Sequence, residues 1–365
     1  MRLNSLYEIN HSGHATMYVI EGLRGLAVFL VFLVHFTTLV EPWIIDGKSF
    51  FAVTSVVRSL GNIGVDLFFV LSGYLIYGSL IKRRQGYIDY LRRRVERIYP
   101  VFSLVFFVYL GLSYVFPEYN RIPVQLWSAV RYLSENFLLF PGIFDIEPII
   151  TVAWSLSYEM FFYLSVPIII EVFGLRMWSS VNRQIFFVLL ASCVLIWPDV
   201  FGGHVRFAMF IAGILTYEIM SSGKKLRMGG VFGVAGAAGA LVITVMHNVY
   251  AFNGQLKFAV LAVSFISLCV GCFSSDGWFS KTLRYKPVRW LGNISYSYYL
   301  LHGMVLNGFF LLFAKLVPPS GHAFGWFWSA IVVAFILTFV MSSVLFAFVE
   351  RPFSLDVRRK VGSKV

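Results

Sequence analysis

The sequence predicts an all-α integral membrane protein, a bundle of about ten transmembrane helices with both termini cytoplasmic. Three observations predict this. Of the 365 residues, 58% are hydrophobic and 13% charged, with a mean hydropathy of +0.77, whereas soluble domains are about a quarter charged. Apolar runs long enough to cross a bilayer recur ten times. The cations collect in alternate connections between those runs.

Residues 1–19 are polar and read as a cytoplasmic tail without a cleavable signal peptide. Residues 20–350 read as one transmembrane domain and residues 351–365 as a cytoplasmic C-terminal tail. The spans lie near 20–40, 61–81, 98–116, 153–173, 184–201, 204–221, 230–247, 256–275, 291–317 and 324–349, the fifth to seventh being short. With the N-terminus inside, Lys82 to Arg97 carries seven basic and two acidic residues on the cytoplasmic side. Later inside connections hold Arg176 and Arg183, then Lys224, Lys225 and Arg227, then Lys281, Arg284, Lys286 and Arg289. The C-terminal tail adds five more, and with Arg2 the inside total reaches 22 of the 30 Lys and Arg residues. Only Lys48, Arg58, Arg121 and Arg131 lie in outside loops. Topology thus accounts for the net charge of +12, and no nucleic-acid partner is expected.

Cys193, Cys269 and Cys272 fall inside apolar runs and read as packing residues. The run beginning at Gly229, GGVFGVAGAAGALV, reads as a small-residue face for close helix packing. The longest outside loop, Pro117 to Val152, is rich in aromatic and acidic residues and is placed to cover a site.

The first span carries its ionisable groups in a pattern. Arg24 and His35 are eleven residues apart, which returns them to one helix face about 16 Å apart in depth. Ionisable groups at membrane depth are expensive and often line a cavity. Glu159, approached from the outside, lies at a comparable depth, as does Asp66 near the outer end of the second span. The ninth run carries Ser295, Ser297, Tyr298 and His302 from the inner surface toward mid-membrane. For Arg24 and His35 singly, snorkelling and one interhelical hydrogen bond are the competing structural roles, and for the two serines helix–helix glue is the stronger one. Arg93, Arg94 and Arg97 precede the third span; arginine forks suit phosphate oxygens, while a lipid-facing anchor is the structural alternative.

Taken in order, Arg24 with His35, GVDLFFVLSGYLI, RRVERIYP, WSLSYEMFFYL, LGNISYSYYLLH and the ERP at Glu350 to Pro352 resemble the acyltransferase-3 family of bacterial integral membrane O-acyltransferases. The resemblance covers almost the whole chain and implies a stand-alone form, without the soluble SGNH-type domain that some members append. It implies transfer of an acyl group, acetyl by default, from cytoplasmic acetyl-CoA to a hydroxyl of a cell-surface glycan such as a lipopolysaccharide O-antigen, an exopolysaccharide or a related glycan, at the periplasmic side of the bacterial inner membrane.

Within that resemblance the catalytic candidates are His35, Arg24 and Glu159, and the donor-binding candidates Arg93, Arg94, Arg97 and Arg24. Asp66, Ser72, Trp154, Ser157, Tyr298 and His302 are candidates for substrate or structural support. Acyl-CoA is the expected donor, membrane lipids and a glycan or lipid-linked glycan the expected partners, and no metal is expected. Neutral His35 suits a general base acting on a sugar hydroxyl, and an acyl-His intermediate is the two-step alternative. A proton-coupled transporter or lipid-linked glycan flippase would also bury such groups, but paired Gly/Pro-broken helices are missing from the sequence.

Overall fold

A computed structural model describes residues 6–9, 15–43, 48–223, 228–251, 253–319 and 324–356. Among them every regular element is helical, apart from one isolated bridge between Pro141 and Phe144. Arg2, Lys224, Lys225, Arg227 and the tail beyond residue 356 lie outside the described residues.

The helices are α1 (Ala15–Val40), α2 (Lys48–Lys82), α3 (Tyr87–Val115), α4 (Leu126–Phe137), α5 (Trp154–Val172), α6 (Ser180–Ile196), α7 (Phe207–Ser221), α8 (Gly229–Tyr250), α9 (Gly254–Ser274), α10 (Trp278–Leu283), α11 (Lys286–Asn293), α12 (Ser295–Leu316) and α13 (Phe324–Leu345). Each of the ten apolar runs finds its helix. Eight are long and apolar enough to cross a membrane, while α6 and α7 are apolar but shorter.

The differences from the sequence reading have local causes. α3 begins at Tyr87 rather than near 98, so Arg93, Arg94 and Arg97 ride on its first turns instead of occupying a loop. Charge ends a hydropathy run, but it does not end a helix: Ile88, Leu91 and Val95 keep helical spacing through the basic stretch. The ninth run breaks between Asn293 and Ser295 into α11 and α12. The tenth ends as a π-helix over Phe346–Leu355 that contains Pro352.

Where the sequence reads one domain, the residues divide into two compact units. The first comprises Met1–Arg84, Ile168–Ser295 and Leu306–Phe335. Its helices meet at glycines. A Cβ on Gly73 of α2 would stand 2.1 Å from the Phe210 carbonyl oxygen of α7, and one on Gly271 of α9 would stand 2.2 Å from the Gly233 nitrogen of α8. The small-residue run therefore serves as the packing seam expected of it. Cys269 and Cys272 are buried free thiols in the same region. Fully enclosed Glu218 of α7 gathers Tyr77 Oη–H (2.5 Å), Arg183 Nε–H (2.6 Å) and Ser180 Oγ–H (2.6 Å), joining three helices through a satisfied charge.

The second unit comprises Gln85–Pro167, Tyr296–Val305 and Ile336–Val365. In its long connection the buried side chain of Asn136 on α4 ties two stretches together. Asn136 accepts from the Ile149 N–H (2.8 Å) and donates to the Tyr132 carbonyl (3.0 Å).

Candidate functional site

In the first unit, α1 presents Arg24 and His35 on one face, as their spacing requires. Arg24 donates from Nε (3.2 Å) and Nη2 (2.9 Å) to Ser295 Oγ at the start of α12. Glycines permit that approach: a Cβ on Gly25 would lie 2.2 Å from the Val288 carbonyl oxygen, and one on Gly292 1.8 Å from that of Glu21. Beside it, buried Arg289 of α11 bridges Glu21 (2.7 Å) and Glu8 (2.7 Å) and lies over the Tyr18 ring at 3.9 Å. The N-terminal segment is pinned to the same short helix, with Tyr7 stacked on Trp290 and its carbonyl accepting from Asn293 Nδ2–H at 2.9 Å.

His35 is half-buried, one residue before fully buried Phe36, whose ring packs against Phe310 and Phe327. Asp66 is buried on α2 with Arg206 Nε 3.5 Å away. Ser72 is half-buried beside Gly73, where α2 meets α7.

In the second unit the two arginines of the RVER stretch are held on aromatic faces. Arg94 lies over Tyr90 (5.3 Å) and Tyr163 (5.9 Å), and Arg97 over Tyr296 (5.3 Å). The buried Arg94 Nε makes no hydrogen bond among the described residues. Arg97 forms an ion pair through Nη1 with Glu350 at 2.7 Å. Arg93 turns instead to Gln85, to which its Nη2 donates. Tyr163 also donates its hydroxyl to Glu159 Oε2 at 2.9 Å, so one tyrosine touches both a donor-binding and a catalytic candidate.

The remaining candidates form framework. Ser157, Tyr298 and His302 are fully enclosed. Tyr298 and Thr338 hydroxyls bond at 2.8 Å, and His302 Nδ1–H donates to the Tyr298 carbonyl at 2.9 Å. Trp154 is half-buried, edge-on to Tyr158, and its backbone carbonyl lies 2.5 Å from where a Cβ on Gly142 would stand. Gly142 has a φ of +96°, so glycine is required there on both counts.

Sequence reasoning passed over Tyr163, Tyr296, Arg206 and the partner of Arg97. For Tyr163 a signal was present: it follows Glu159 by four residues on one helix face. Glu350 was visible as part of a motif, but nothing in the sequence says which arginine it meets.

No solved structure matches this chain. The chain is 25% identical over 380 residues to the O-acetyltransferase OatA of Staphylococcus aureus (strain NCTC 8325 / PS 47), covering 94% of this chain and 57% of that protein. It is 24% identical over 365 residues to the putative peptidoglycan O-acetyltransferase YrhL of Bacillus subtilis (strain 168), covering 88% and 56%. With the peptidoglycan O-acetyltransferase OatA of Listeria monocytogenes serovar 1/2a (strain ATCC BAA-679 / EGD-e) it shares 25% over 373 residues, covering 91% and 55%. The chain thus spans a little over half the length of each of these relatives. The model of the acyltransferase-3 family, an acyltransferase domain, matches residues 17–347. With these residues set in apolar helices that cross the membrane many times, the chain is a multi-pass membrane protein that belongs to the acyltransferase-3 family.

Proposed function

We propose that this protein is an O-acetyltransferase that moves an acetyl group from cytoplasmic acetyl-coenzyme A to a hydroxyl of a cell-envelope glycan across the bacterial cytoplasmic membrane. The observation that carries the reading is the pair Arg94 and Arg97, one helical turn apart, their guanidinium groups seated on tyrosine rings. Among the described residues Arg94 makes no hydrogen bond, and Arg97 makes its ion pair through Nη1 and rests its guanidinium on the Tyr296 ring. Arginines held in place with donors to spare suit phosphate oxygens. Coenzyme A supplies such oxygens at its charged end, and its pantetheine arm is long and thin enough to thread a helix bundle.

The rise of about 16 Å between Arg24 and His35 leaves the charged end of the donor at the inner surface and its thioester deep in the bundle. There neutral His35 takes the proton of the acceptor hydroxyl as its oxygen attacks the thioester carbonyl. The new C–O bond forms, the C–S bond breaks, and the proton passes to the departing thiolate. Arg24, held by Ser295, serves the donor near the mouth, and Glu159, held by Tyr163, holds acceptor hydroxyls. Fully enclosed Ser157, Tyr298 and His302 keep the framework, with Asp66, Ser72 and Trp154 in support.

The relatives named as peptidoglycan O-acetyltransferases favour a peptidoglycan-type acceptor over the O-antigen or exopolysaccharide that the family resemblance implied. Protein in liposomes, given acetyl-coenzyme A labelled in the acetyl group together with soluble peptidoglycan fragments, tests the reading. Label on the glycan is the expected result; label that never leaves coenzyme A, with folded protein, overturns it.

A further inference from the structure

Resting on that reading, we infer that Glu350 is the positioning residue for the donor site: it anchors Arg97 by one end and leaves the other end of the guanidinium to the donor's phosphate. Glu350 is fully enclosed, and its two oxygens are divided. Oε1 meets Arg97 Nη1 at 2.7 Å. Oε2 accepts from the backbone N–H of Ser297 at 3.1 Å and from its Oγ–H at 2.5 Å, in the first turn of α12. The carboxylate thus caps a helix N-terminus from a distant part of the chain, where the helix dipole favours a negative charge.

A fully enclosed carboxylate with a cation, a backbone N–H, a hydroxyl and a helix end around it has one stable position, and it transmits that position to Arg97. The Tyr296 ring under the guanidinium restricts it further, and the Tyr296 hydroxyl is itself fixed to the Ile98 carbonyl at 2.7 Å. Ile98 is the residue after Arg97, so the platform and the arginine hang from the same stretch of α3. The backbone around Glu350 is also unusual. Residues 346–355 are π-helical, a conformation seen mostly as single turns and often at functional sites, and Pro352 within them has no N–H to donate. A straight α-helix would turn Glu350 by a different angle relative to the end of α13.

The alternative is that Glu350 only offsets the charge of Arg97, and the two ideas predict opposite signs. If the carboxylate were a counter-charge, neutralising it would strengthen an anion site. If it is an anchor, neutralising it lets the guanidinium wander, and donor binding weakens.

The test is equilibrium binding of coenzyme A to the full chain in nanodiscs, with thermal melting in parallel. Wild type binds, and Arg97→Gln weakens binding; Glu350→Gln and Glu350→Asp each weaken it roughly tenfold, the scale of one positioned charged hydrogen bond. Glu350→Gln adds little on top of Arg97→Gln, because both remove the same contact. Ser297→Ala, a milder change that keeps the carboxylate, gives a smaller loss in the same direction and serves if Glu350 variants melt early. Tighter or unchanged binding in Glu350→Gln, or in Ser297→Ala where the former does not fold, overturns the anchor role while Arg97→Gln still reports a working donor site. Failure of the wild type to bind, or indifference to Arg97→Gln, strikes the donor reading itself.

Discussion

His35 and Tyr163 carry the sharpest consequences at the scale of single residues. His35→Ala shortens a half-buried side chain, so the protein should insert and fold while transfer falls at least a hundredfold, the usual worth of general-base catalysis. Retention of more than about a tenth of wild-type transfer, measured with the labelled donor, would remove His35 from that role. Tyr163→Phe keeps the ring under Arg94 and deletes only the hydroxyl that reaches Glu159. Donor KM should therefore hold, while acceptor KM rises about tenfold or more, the worth of a hydrogen bond to a charged group. A change confined to donor KM would instead assign Tyr163 to the arginines. Arg24, His35 and Glu159 were legible in the sequence because a charge inside an apolar run is conspicuous. Their partners were not, since Ser295 and Arg24 are 271 positions apart, and a serine in a membrane helix has many bland uses.

Elements tell a similar story, in which composition locates helices well and their ends poorly. The ten apolar runs were legible because hydropathy is summed over many residues. The eleven residues by which α3 begins earlier than expected were not, because arginines lower hydropathy while preserving helix propensity. The break between α11 and α12 was equally hidden, yet it delivers Ser295 to Arg24. That delivery depends on Gly292, where any side chain would meet the Glu21 carbonyl. Gly292→Ala should destabilise the protein by about 1–3 kcal/mol, as overpacking does, and lower transfer in the fraction that stays folded. A melting temperature and activity equal to wild type would show that α1 and α11 can separate without consequence.

For the whole molecule, the proposal makes sidedness measurable. The cations at Lys82 to Arg97 mark the face that the positive-inside rule puts in the cytoplasm. In sealed proteoliposomes of known orientation, acetyl-coenzyme A supplied only on that face should acetylate a glycan confined to the other. Activity restricted to donor and acceptor in one compartment would overturn the cross-membrane arrangement while leaving the family intact. The division into two units was invisible to a reading of one continuous apolar domain, because hydropathy reports what meets lipid and says nothing about which helices keep company. Glu218 illustrates what holds the first unit: Glu218→Ala would strand Arg183 without its partner, a loss of about 3–5 kcal/mol, visible as early aggregation on heating.

The short helix α6 ties the molecule to the lipid around it. Its 17 residues reach about 25 Å, against a hydrocarbon slab of roughly 30 Å. Val181, Ile185, Leu189 and Ile196 stand exposed along it, so this helix cannot hide the shortfall behind neighbours. Where α6 crosses the bilayer, the leaflets pinch inward along it or the helix shifts out of register, each for a fraction of a kcal/mol per Å. Bilayer thickness therefore becomes a variable of the proposed transfer: turnover should be highest in thin, short-chain lipids and decline as acyl chains lengthen, with no change in any residue.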